Sequence, residues 1–528
     1  MKKTVSALLL PAFITLVFIF SCRSDDAAVQ NPVNALLSAL ENKTTKLPVP
    51  AADKLPPSWK GFNLLNMFYR GGSDTDSRFN ENDFQLMAEW GFNFVRIPMD
   101  YRIWVTGKKG NTMNETALKR IDRAVEYGIK YDIHVCLNFH RAPGYTVASP
   151  PETADLWTQT EPQEAFARMW GYFAERYKGI PNEYLSFNLV NEPPDMDEAV
   201  YAAVMGKAAG AIWAHDPGRL IIADGLAFGR KPSKMIQQLG IAQASRGYEP
   251  FSLTHYKAEW VEGSDDYPLP SWPVFYIPRF LYNPAKEGVT ASMYRIDHAF
   301  NEAYFLDVNV GTVSHEARLV VKAGGTTLYD RLFKSAAGAG EWKTVVYRKE
   351  WNIYQNIFNR DYRIEIPAGT KQITVEITEG DWMTINDMRF TPVSGTGRAF
   401  SITPNSPDWG AVIPPITIDA AGRIVMESAY IQNREWLKEH FQPWEDLINS
   451  GGGAMIGEWG SHNQTPHDVV LAWMEDSLQT FHEAGLGWAL WNFNGSFGIL
   501  NNGRSGVEHE TINGNKLDRN MLRLLQKY

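Results

Sequence analysis

Two glutamates that lie far apart in the chain each follow a short apolar run. Glu192 follows residues 185–191, and Glu458 follows residues 454–457. A carboxylate at the C-terminal end of a buried strand adds little to packing, but it is well placed for chemistry at the rim of a parallel barrel. If both strands belong to one barrel, the two carboxyl groups open into the same cleft. Such a pair predicts the catalytic machinery of a retaining glycosidase.

Other residues able to take part in chemistry stand at or near the ends of further predicted strands: Arg96, His140, Asn191, His255 and Trp491. Taken singly, an arginine there is often an ion-pair partner and a histidine is often a satisfied core residue. Six strands that all end in such residues are improbable by accident. The pattern therefore predicts one active-site rim.

From Lys60 onward, predicted strands alternate with predicted helices. The predicted strands span residues 61–65, 92–98, 134–140, 185–191, 220–223, 251–255, 454–458 and 487–491. Eight strands, each followed by a helix, predict an α/β fold of the (β/α)8 TIM-barrel class. The alternation stops after the sixth predicted strand and resumes with a helix near residue 431.

The segment between the sixth predicted strand and this helix has the sequence pattern of a different fold. Short alternating strands separated by turn residues fill residues 292–392, which is typical of a β-sandwich. We expect barrel segments at 58–275 and 426–528, with a β-sandwich inserted at 276–425 between strand six and its helix. The insert looks like a carbohydrate-binding module. The alternative is a sandwich that supports the barrel without touching sugar.

The N-terminus predicts export. Lys2 and Lys3 precede an apolar run, and the segment before Cys22 resembles a bacterial lipobox. We therefore expect a lipoprotein signal at 1–21, a lipid on Cys22, and a tether at 22–57. This implies anchoring at the outer membrane or cell surface of a Gram-negative bacterium. A plain signal peptide or an N-terminal membrane helix is the alternative.

Composition excludes several classes of partner. The 528 residues carry a net charge of −9, which argues against nucleic acid and against an anionic membrane beyond the lipid on Cys22. Two cysteines give no disulfide framework. The sequence has no zinc motif, phosphate loop or dinucleotide fingerprint, so we expect no cofactor and no metal. The aromatic content of 13% suits a large core, a sugar-binding groove, or both.

Five motifs together resemble glycoside hydrolase family 5, the cellulase family of barrel glycosidases. The resemblance covers about residues 59–274 and 429–525. The motifs are Val95-Arg96-Ile97-Pro98, Asn138-Phe139-His140, Asn191-Glu192-Pro193, Gly457-Glu458-Trp459-Gly460 and Trp488-Ala489-Leu490-Trp491.

The resemblance implies a role for each acidic residue. Glu192 would be the general acid/base, with its pKa raised by burial and a neighbouring carboxylate. Glu458 would be the nucleophile, held ionised and oriented by Arg96 through charge-assisted hydrogen bonds. Retention requires the two carboxyl groups to be only about 5–5.5 Å apart.

The resemblance also implies substrate-binding residues. Asn191 would bond the sugar 2-hydroxyl, His140 and His255 would line the reacting subsite, and Trp491 would form its floor. The family commonly places His and Tyr two positions apart after the sixth strand. Here Tyr256 directly follows His255, and Lys257 stands where Tyr is expected, so either Tyr256 or Lys257 could point into the site.

Aromatic residues in the predicted rim loops are candidate sugar platforms, although each could instead pack beneath its loop: Trp104, Tyr145, Trp157, Trp260 and Trp272.

The favoured function is a retaining, endo-acting β-1,4-glucanase whose partner is a polysaccharide. A mannanase, a xyloglucanase or an exo-acting β-glucosidase on the same barrel is the alternative, because subsite loops decide specificity. A transglycosylase and a non-catalytic surface glycan-binding lipoprotein are further alternatives. The sequence does not indicate an oligomeric state.

Overall fold

The computed structural model describes residues 54–70, 78–106, 112–283, 292–406, 409–420, 422–427 and 430–528. The predicted signal sequence at 1–21, Cys22 and most of the predicted tether at 22–57 lie outside the described residues. Within the described ranges, no helix combines the length and the apolar character needed to cross a bilayer.

Eight parallel strands close into a barrel, as predicted. They are β1 (Lys60–Asn63), β2 (Phe94–Asp100), β3 (His134–Ala142), β4 (Leu185–Asn188), β5 (Ile221–Asp224), β6 (Ala242–Gly247), β7 (Ala454–Trp459) and β8 (Gly487–Leu490). Each strand pairs with the next in the chain, and β8 pairs with β1 to close the sheet. All carboxyl ends therefore meet at one face of the barrel.

A helix returns the chain after each strand. These helices are α1 (Glu81–Glu89), α2 (Glu115–Tyr131), α3 (Thr160–Arg176), α4 (Glu198–His215), α5 (Lys234–Gln238), α6 (Arg434–Asn449), α7 (His467–Glu483) and α8 (Arg519–Lys527). Helix α2 shows how the sequence sets the boundaries. The Asn114 side chain caps its first turn by accepting from Ala117 N at 3.3 Å. Leu118, Ile121 and Val125 share its buried face.

The predicted position of the sixth strand is wrong. Strand β6 is Ala242–Gly247, whereas Phe251–Thr254 forms a short helix in the loop that follows. Pro250 precedes this helix, and Thr254 Oγ1 donates to Tyr248 O at 2.6 Å. These local bonds favour a helical turn although the residues alternate like a strand. His255 therefore lies beyond the strand, in the loop.

The chain between β6 and α6 forms an inserted β unit with its own core. Two long strands, Tyr304–Ala323 and Gln372–Pro392, pair antiparallel along their length. The apolar core of the unit runs from Ile277 to Met426 and is separate from the barrel core. Two short segments that connect it to the barrel, Val274–Phe275 and Ile431–Gln432, pair with each other.

The closed barrel of eight parallel strands, with additional β-rich sheets in the chain between β6 and α6, confirms the predicted fold class. Because the insert leaves the barrel from the carboxyl end of β6, it belongs to the face of the barrel where active sites are built.

Candidate active site

The two predicted glutamates meet in one pocket. Glu192 lies just beyond β4, and Glu458 is in β7. A single guanidinium contacts both, because Arg246 Nε donates to Glu192 Oε1 at 2.8 Å and Arg246 Nη2 lies 3.2 Å from Glu458 Oε1. Side chains this close to one arginine face the same space, which is the arrangement that a two-carboxylate mechanism requires.

Several hydrogen-bond donors hold the Glu458 carboxyl group in place. Arg96 on β2 donates from Nη1 to Glu458 Oε1 at 2.5 Å, and Tyr248 donates from its hydroxyl to Glu458 Oε2 at 3.2 Å. Arg96 is only 1% exposed and is itself fixed by the side-chain oxygens of Asn63 and Asn188 at 3.0 and 2.8 Å. Charge-assisted hydrogen bonds from Arg96 fix the direction of the Glu458 carboxyl group, as a nucleophile requires.

The surroundings of Glu192 raise its pKa. Burial raises its pKa to about 7, and the negative charge of Glu458 acts in the same direction, while Arg246 opposes the increase. Its side chain keeps 18% of its surface exposed, so a leaving group can reach it. A carboxyl that is partly protonated near neutral pH can serve as general acid and, after donating, as general base.

The backbone at Glu192 is held in an uncommon conformation. Its φ is +47°, in the left-handed region, which costs about 1–3 kcal/mol for a residue other than glycine. Two hydrogen bonds hold it there: Tyr145 donates from its hydroxyl to Glu192 O at 2.5 Å, and Glu192 N donates to Asp224 Oδ2 at 2.9 Å. Tyr145, predicted as a sugar platform, therefore helps to hold the Glu192 backbone in place.

Asn191 presents a free donor to the pocket. Its Oδ1 accepts from Arg96 Nη2 and from Arg246 Nη2, both at 2.8 Å. Its buried Nδ2 has no hydrogen-bond partner among the described residues. An unused buried donor is costly unless a ligand satisfies it, so Asn191 Nδ2 is suited to bind a substrate hydroxyl.

Aromatic rings form another wall of the pocket. The His140 ring lies 4.5 Å from the Phe68 ring and 5.7 Å from the Trp491 ring, measured between centroids. Burial holds the pKa of His140 well below its usual range, so the ring is neutral. His140 Nδ1 lacks a hydrogen-bond partner within the described ranges. The structure thus brings the predicted subsite residues His140 and Trp491 together, and it places His140 near Arg96 and Arg246, the arginines that contact the glutamates.

Sequence reasoning missed Arg246, which is in β6, and Tyr248, which directly follows β6. They stand two positions apart, which is the spacing expected for His and Tyr after the sixth strand, with arginine in the histidine position. Tyr248, and not Tyr256, donates to Glu458. The signal was present as Arg-Gly-Tyr before Pro250, but the strand was placed too late for it to be recognised.

His255 contacts the ring of Tyr248, and Tyr248 in turn donates to Glu458. Its imidazole stacks on Phe251 with centroids 3.9 Å apart and meets the edge of Tyr248 at 5.1 Å. Lys257 has its Nζ 5.2 Å from the centre of the Tyr256 ring. His255 therefore supports Tyr248 from outside, and Tyr256 does not take the place expected beside the nucleophile.

The candidate sugar platforms differ in accessibility. Trp104 is completely buried, Trp157 is half-buried, and Trp272 donates from its indole to Asp476 Oδ2 at 2.8 Å. Trp260 is 60% exposed, with its ring 6.4 Å from the His255 ring. Of the four tryptophans, Trp260 is the one with an accessible face beside the pocket.

Replacing Arg246 is expected to move the pH profile upward. A cation beside a carboxyl favours the ionised form, so Arg246→Met should raise the pKa of Glu192 further and shift the basic limb of kcat/KM upward by about 1–3 pH units. The profile measured on cellopentaose checks this, with Arg246→Lys as the control that keeps a positive charge. If the basic limb of kcat/KM stays in place or moves to lower pH in a folded Arg246→Met protein, Arg246 does not lower the pKa of Glu192.

In the part of the chain that the structure describes, no group of three or more His, Cys, Asp or Glu side chains could hold a metal ion. The chemistry assigned above uses only protein side chains.

Part of the chain resembles a known family of glycoside hydrolases. Residues 52–244 match the family model described as Cellulase (glycosyl hydrolase family 5). The chain is 30% identical over 197 residues to Endoglucanase C of Acetivibrio thermocellus, covering 36% of this chain and 57% of that protein. It is 29% identical over 198 residues to Cellodextrinase A of Ruminococcus flavefaciens, covering 35% and 56%. The chain thus spans less than two thirds of the length of these relatives.

A solved structure described as "Crystal Structure of a glycoside hydrolase" aligns with a TM-score of 0.57 and 26% identity. The alignment covers 89% of this chain and 98% of that one. The family match contains Arg96 and Glu192 but ends before Glu458, so the placement of the second glutamate rests on the geometry described above.

Proposed function

Since the barrel of this chain belongs to the cellulase family, glycosyl hydrolase family 5, we propose that the protein is a retaining glycoside hydrolase that cleaves internal β-1,4 linkages of a glucan. The observation that carries the proposal is the contact of Arg246 with both Glu192 and Glu458, which sets two carboxyl groups in one pocket.

In the first step Glu458 attacks the anomeric carbon of the sugar. The bond from a Glu458 oxygen to C1 forms while the bond from C1 to the bridging oxygen breaks. Glu192 gives its proton to that oxygen, so the leaving chain departs as a neutral alcohol. The product is a covalent glycosyl-enzyme of inverted configuration.

In the second step a water molecule displaces Glu458 from the sugar. Glu192, now ionised, takes a proton from a water molecule whose oxygen attacks C1, and Glu458 leaves as a carboxylate. Two inversions give net retention. Asn191 Nδ2 supports both steps by donating to the 2-hydroxyl, a bond that strengthens as C1 becomes oxocarbenium-like.

A β-1,4-glucan is favoured as substrate because two of the related proteins are named endoglucanase and cellodextrinase. A mannan or a xyloglucan as substrate, exo-action and transglycosylation remain alternatives on the same barrel. A non-catalytic glycan-binding lipoprotein is disfavoured, since Glu192, Glu458 and Arg96 are all present and connected. We further propose that the chain is exported and anchored through a lipid on Cys22.

A substrate panel tests the activity. Carboxymethyl cellulose, mixed-linkage β-glucan, xyloglucan and mannan are incubated with the purified mature chain, and both viscosity and reducing ends are followed. We expect viscosity of the β-1,4-glucans to fall well before many reducing ends appear, as endo-action requires. Release of glucose or cellobiose without early loss of viscosity contradicts endo-action, and no turnover on any member contradicts the enzyme.

The pH dependence of kcat/KM is expected to show a basic limb near pH 7. Glu192 donates only when it is protonated, and its pKa is raised to about 7 mainly by burial. Above that pH, kcat/KM on cellopentaose should fall about tenfold for each pH unit. A rate that stays level to about pH 9 would be inconsistent with Glu192 as the general acid.

A further inference from the structure

An aromatic cavity lies on the inserted β unit, outside the barrel. It has a volume of about 670 Å³ and is lined by Trp351, Trp382, Trp409 and Phe280 together with polar residues. The rings of Phe280, Trp382 and Trp409 meet edge to face, with centroids 5.3 to 5.7 Å apart. Because these rings pack against one another, the wall of the aromatic cavity has a defined shape.

Two of the three tryptophans that line the aromatic cavity are unusually accessible. All 18 tryptophans lie in the described part of the chain, and only Trp260, Trp351 and Trp409 are more than a third exposed, at 60%, 62% and 48%. Trp260 stands beside the active site, and the other two belong to the aromatic cavity. Large exposed aromatic rings that stand together on a folded protein mark a binding surface more often than exposed rings that are scattered singly.

The polar lining of the aromatic cavity is organised as well. Gln355, which is 7% exposed, accepts from Arg348 Nε at 3.0 Å and donates to Ser314 Oγ at 3.2 Å. Ser314 in turn donates to Asp381 Oδ2 at 2.5 Å. Glu350 completes the set of charged residues around the rings.

This combination fits a carbohydrate. A pyranose has an apolar face that stacks on a flat ring and a rim of hydroxyls that both donate and accept. A lipid or an apolar peptide would remove water from the charged groups of Arg348, Glu350 and Asp381 without offering them polar contacts of its own, which is costly. One cation and two anions also give no uniform charge for a nucleic acid.

The position of the aromatic cavity relates it to the barrel. A second cavity of about 500 Å³ shares Phe280 and Trp382 with it and reaches Asp266, a residue of the barrel loop that follows β6. The same loop carries Trp260, next to His255. The loop that contacts the active site through Trp260 therefore also lines, through Asp266, the cavity that adjoins the aromatic cavity.

We infer that the aromatic cavity binds a segment of a β-1,4-glucan chain, with Trp351 and Trp409 as its stacking platforms. This inference rests on the proposed function for the identity of the polymer. It assigns the inserted unit a role in holding long substrates, so that loss of the two rings affects polymer binding and leaves the hydrolysis of short substrates unchanged.

The test uses the full mature chain carrying Glu458→Gln, which prevents hydrolysis, and affinity electrophoresis in gels containing hydroxyethyl cellulose. The double variant Trp351→Ala/Trp409→Ala should bind the polymer at least about tenfold more weakly, as expected when aromatic anchors are removed. With Glu458 intact, the same double variant should lose kcat/KM on hydroxyethyl cellulose but keep it on 4-nitrophenyl cellobioside.

Tyr347→Ala is the matched control. Tyr347 is 49% exposed on the same hairpin, and its hydroxyl donates to Asn352 Oδ1 at 2.6 Å. It precedes Arg348, and adjacent strand residues point to opposite faces, so it does not line the aromatic cavity. In the polymer-containing gels, the Tyr347→Ala variant should be slowed as much as the parent protein.

Unchanged retention of the double variant, or equal loss in Tyr347→Ala, would overturn the inference. Thermal unfolding checks the fold, and Trp351→Ala alone, at the more exposed ring, repeats the test if the double variant is unstable. If the unmodified protein hydrolyses no β-glucan but the tryptophan variants still lose retention, the proposed function fails and the binding site stands.

Discussion

Glu458→Gln is expected to reduce kcat/KM on β-glucans by about 10⁵-fold or more, the order of effect that follows removal of an enzyme nucleophile. The amide cannot form the glycosyl-enzyme, so the first step is lost for every substrate, including aryl glycosides with good leaving groups. The fold should persist, because Arg96 keeps its bonds to Asn63, Asn188 and Asn191.

The control for this variant is Glu435→Gln on α6, whose side chain is 69% exposed on the outside of the barrel. It should retain full activity and the same unfolding temperature. A second readout uses Glu458→Ala with azide, where the vacated space admits the anion on the same face. The product should be an α-glycosyl azide, formed by a single inversion. Residual turnover of Glu458→Gln within about tenfold of the parent contradicts its role as nucleophile.

Glu192→Ala is expected to show a large effect that depends on the substrate. Hydrolysis of cellulose derivatives should fall by about 10²- to 10⁴-fold, the usual contribution of a general acid/base. A dinitrophenyl cellobioside needs no proton on its leaving group, so its first step should be nearly unaffected and the glycosyl-enzyme should accumulate. The basic limb near pH 7 should disappear, because it belongs to Glu192.

Azide separates this variant from the nucleophile variant. It attacks the accumulated glycosyl-enzyme without a general base, so Glu192→Ala should recover its turnover and yield a β-glycosyl azide. Formation of the α-azide, or equal loss on activated and unactivated substrates, would show that Glu192 is not the general acid/base.

Most of the barrel could be predicted from the sequence, since its strands are apolar runs with polar residues at their carboxyl ends. Glu192 and Glu458 were found in this way, and so was Arg96. Their contact with one another could not be read from the chain, because it depends on closure of the sheet between β8 and β1 and on the register of β4 and β7.

The sixth strand was missed for a physical reason. Half of Ala242–Gly247 is polar, with Gln243, Ser245 and Arg246 all buried and satisfied by tertiary partners: Gln243 exchanges bonds with the Ser233 backbone, and Ser245 donates to Gly229 O. Such a segment has no apolar periodicity, and a sequence pattern contains no information about distant partners. Because the sixth strand was predicted at the wrong position, His255 and Tyr256 were expected in the places that Arg246 and Tyr248 occupy.

Arg246 changes the electrostatic interaction between the two glutamates of this pocket. A neutral histidine would leave the two glutamates to repel each other through the pocket. A guanidinium bonded to both offsets that repulsion and keeps the pKa of Glu192 lower than burial and Glu458 alone would set it. The pH profiles of the Arg246 variants therefore report on the coupling between the two carboxyl groups.

The most direct measurement is to trap the covalent intermediate. With 2,4-dinitrophenyl 2-deoxy-2-fluoro-β-cellobioside, the activated leaving group lets the first step proceed, while fluorine in place of the 2-hydroxyl slows the second. We expect the intact protein to gain one fluorocellobiosyl group and peptide mass spectrometry to place it on Glu458. A label on any other residue, or an unlabelled protein whose first-formed product from a natural substrate is the α-anomer, would contradict double displacement through the paired glutamates.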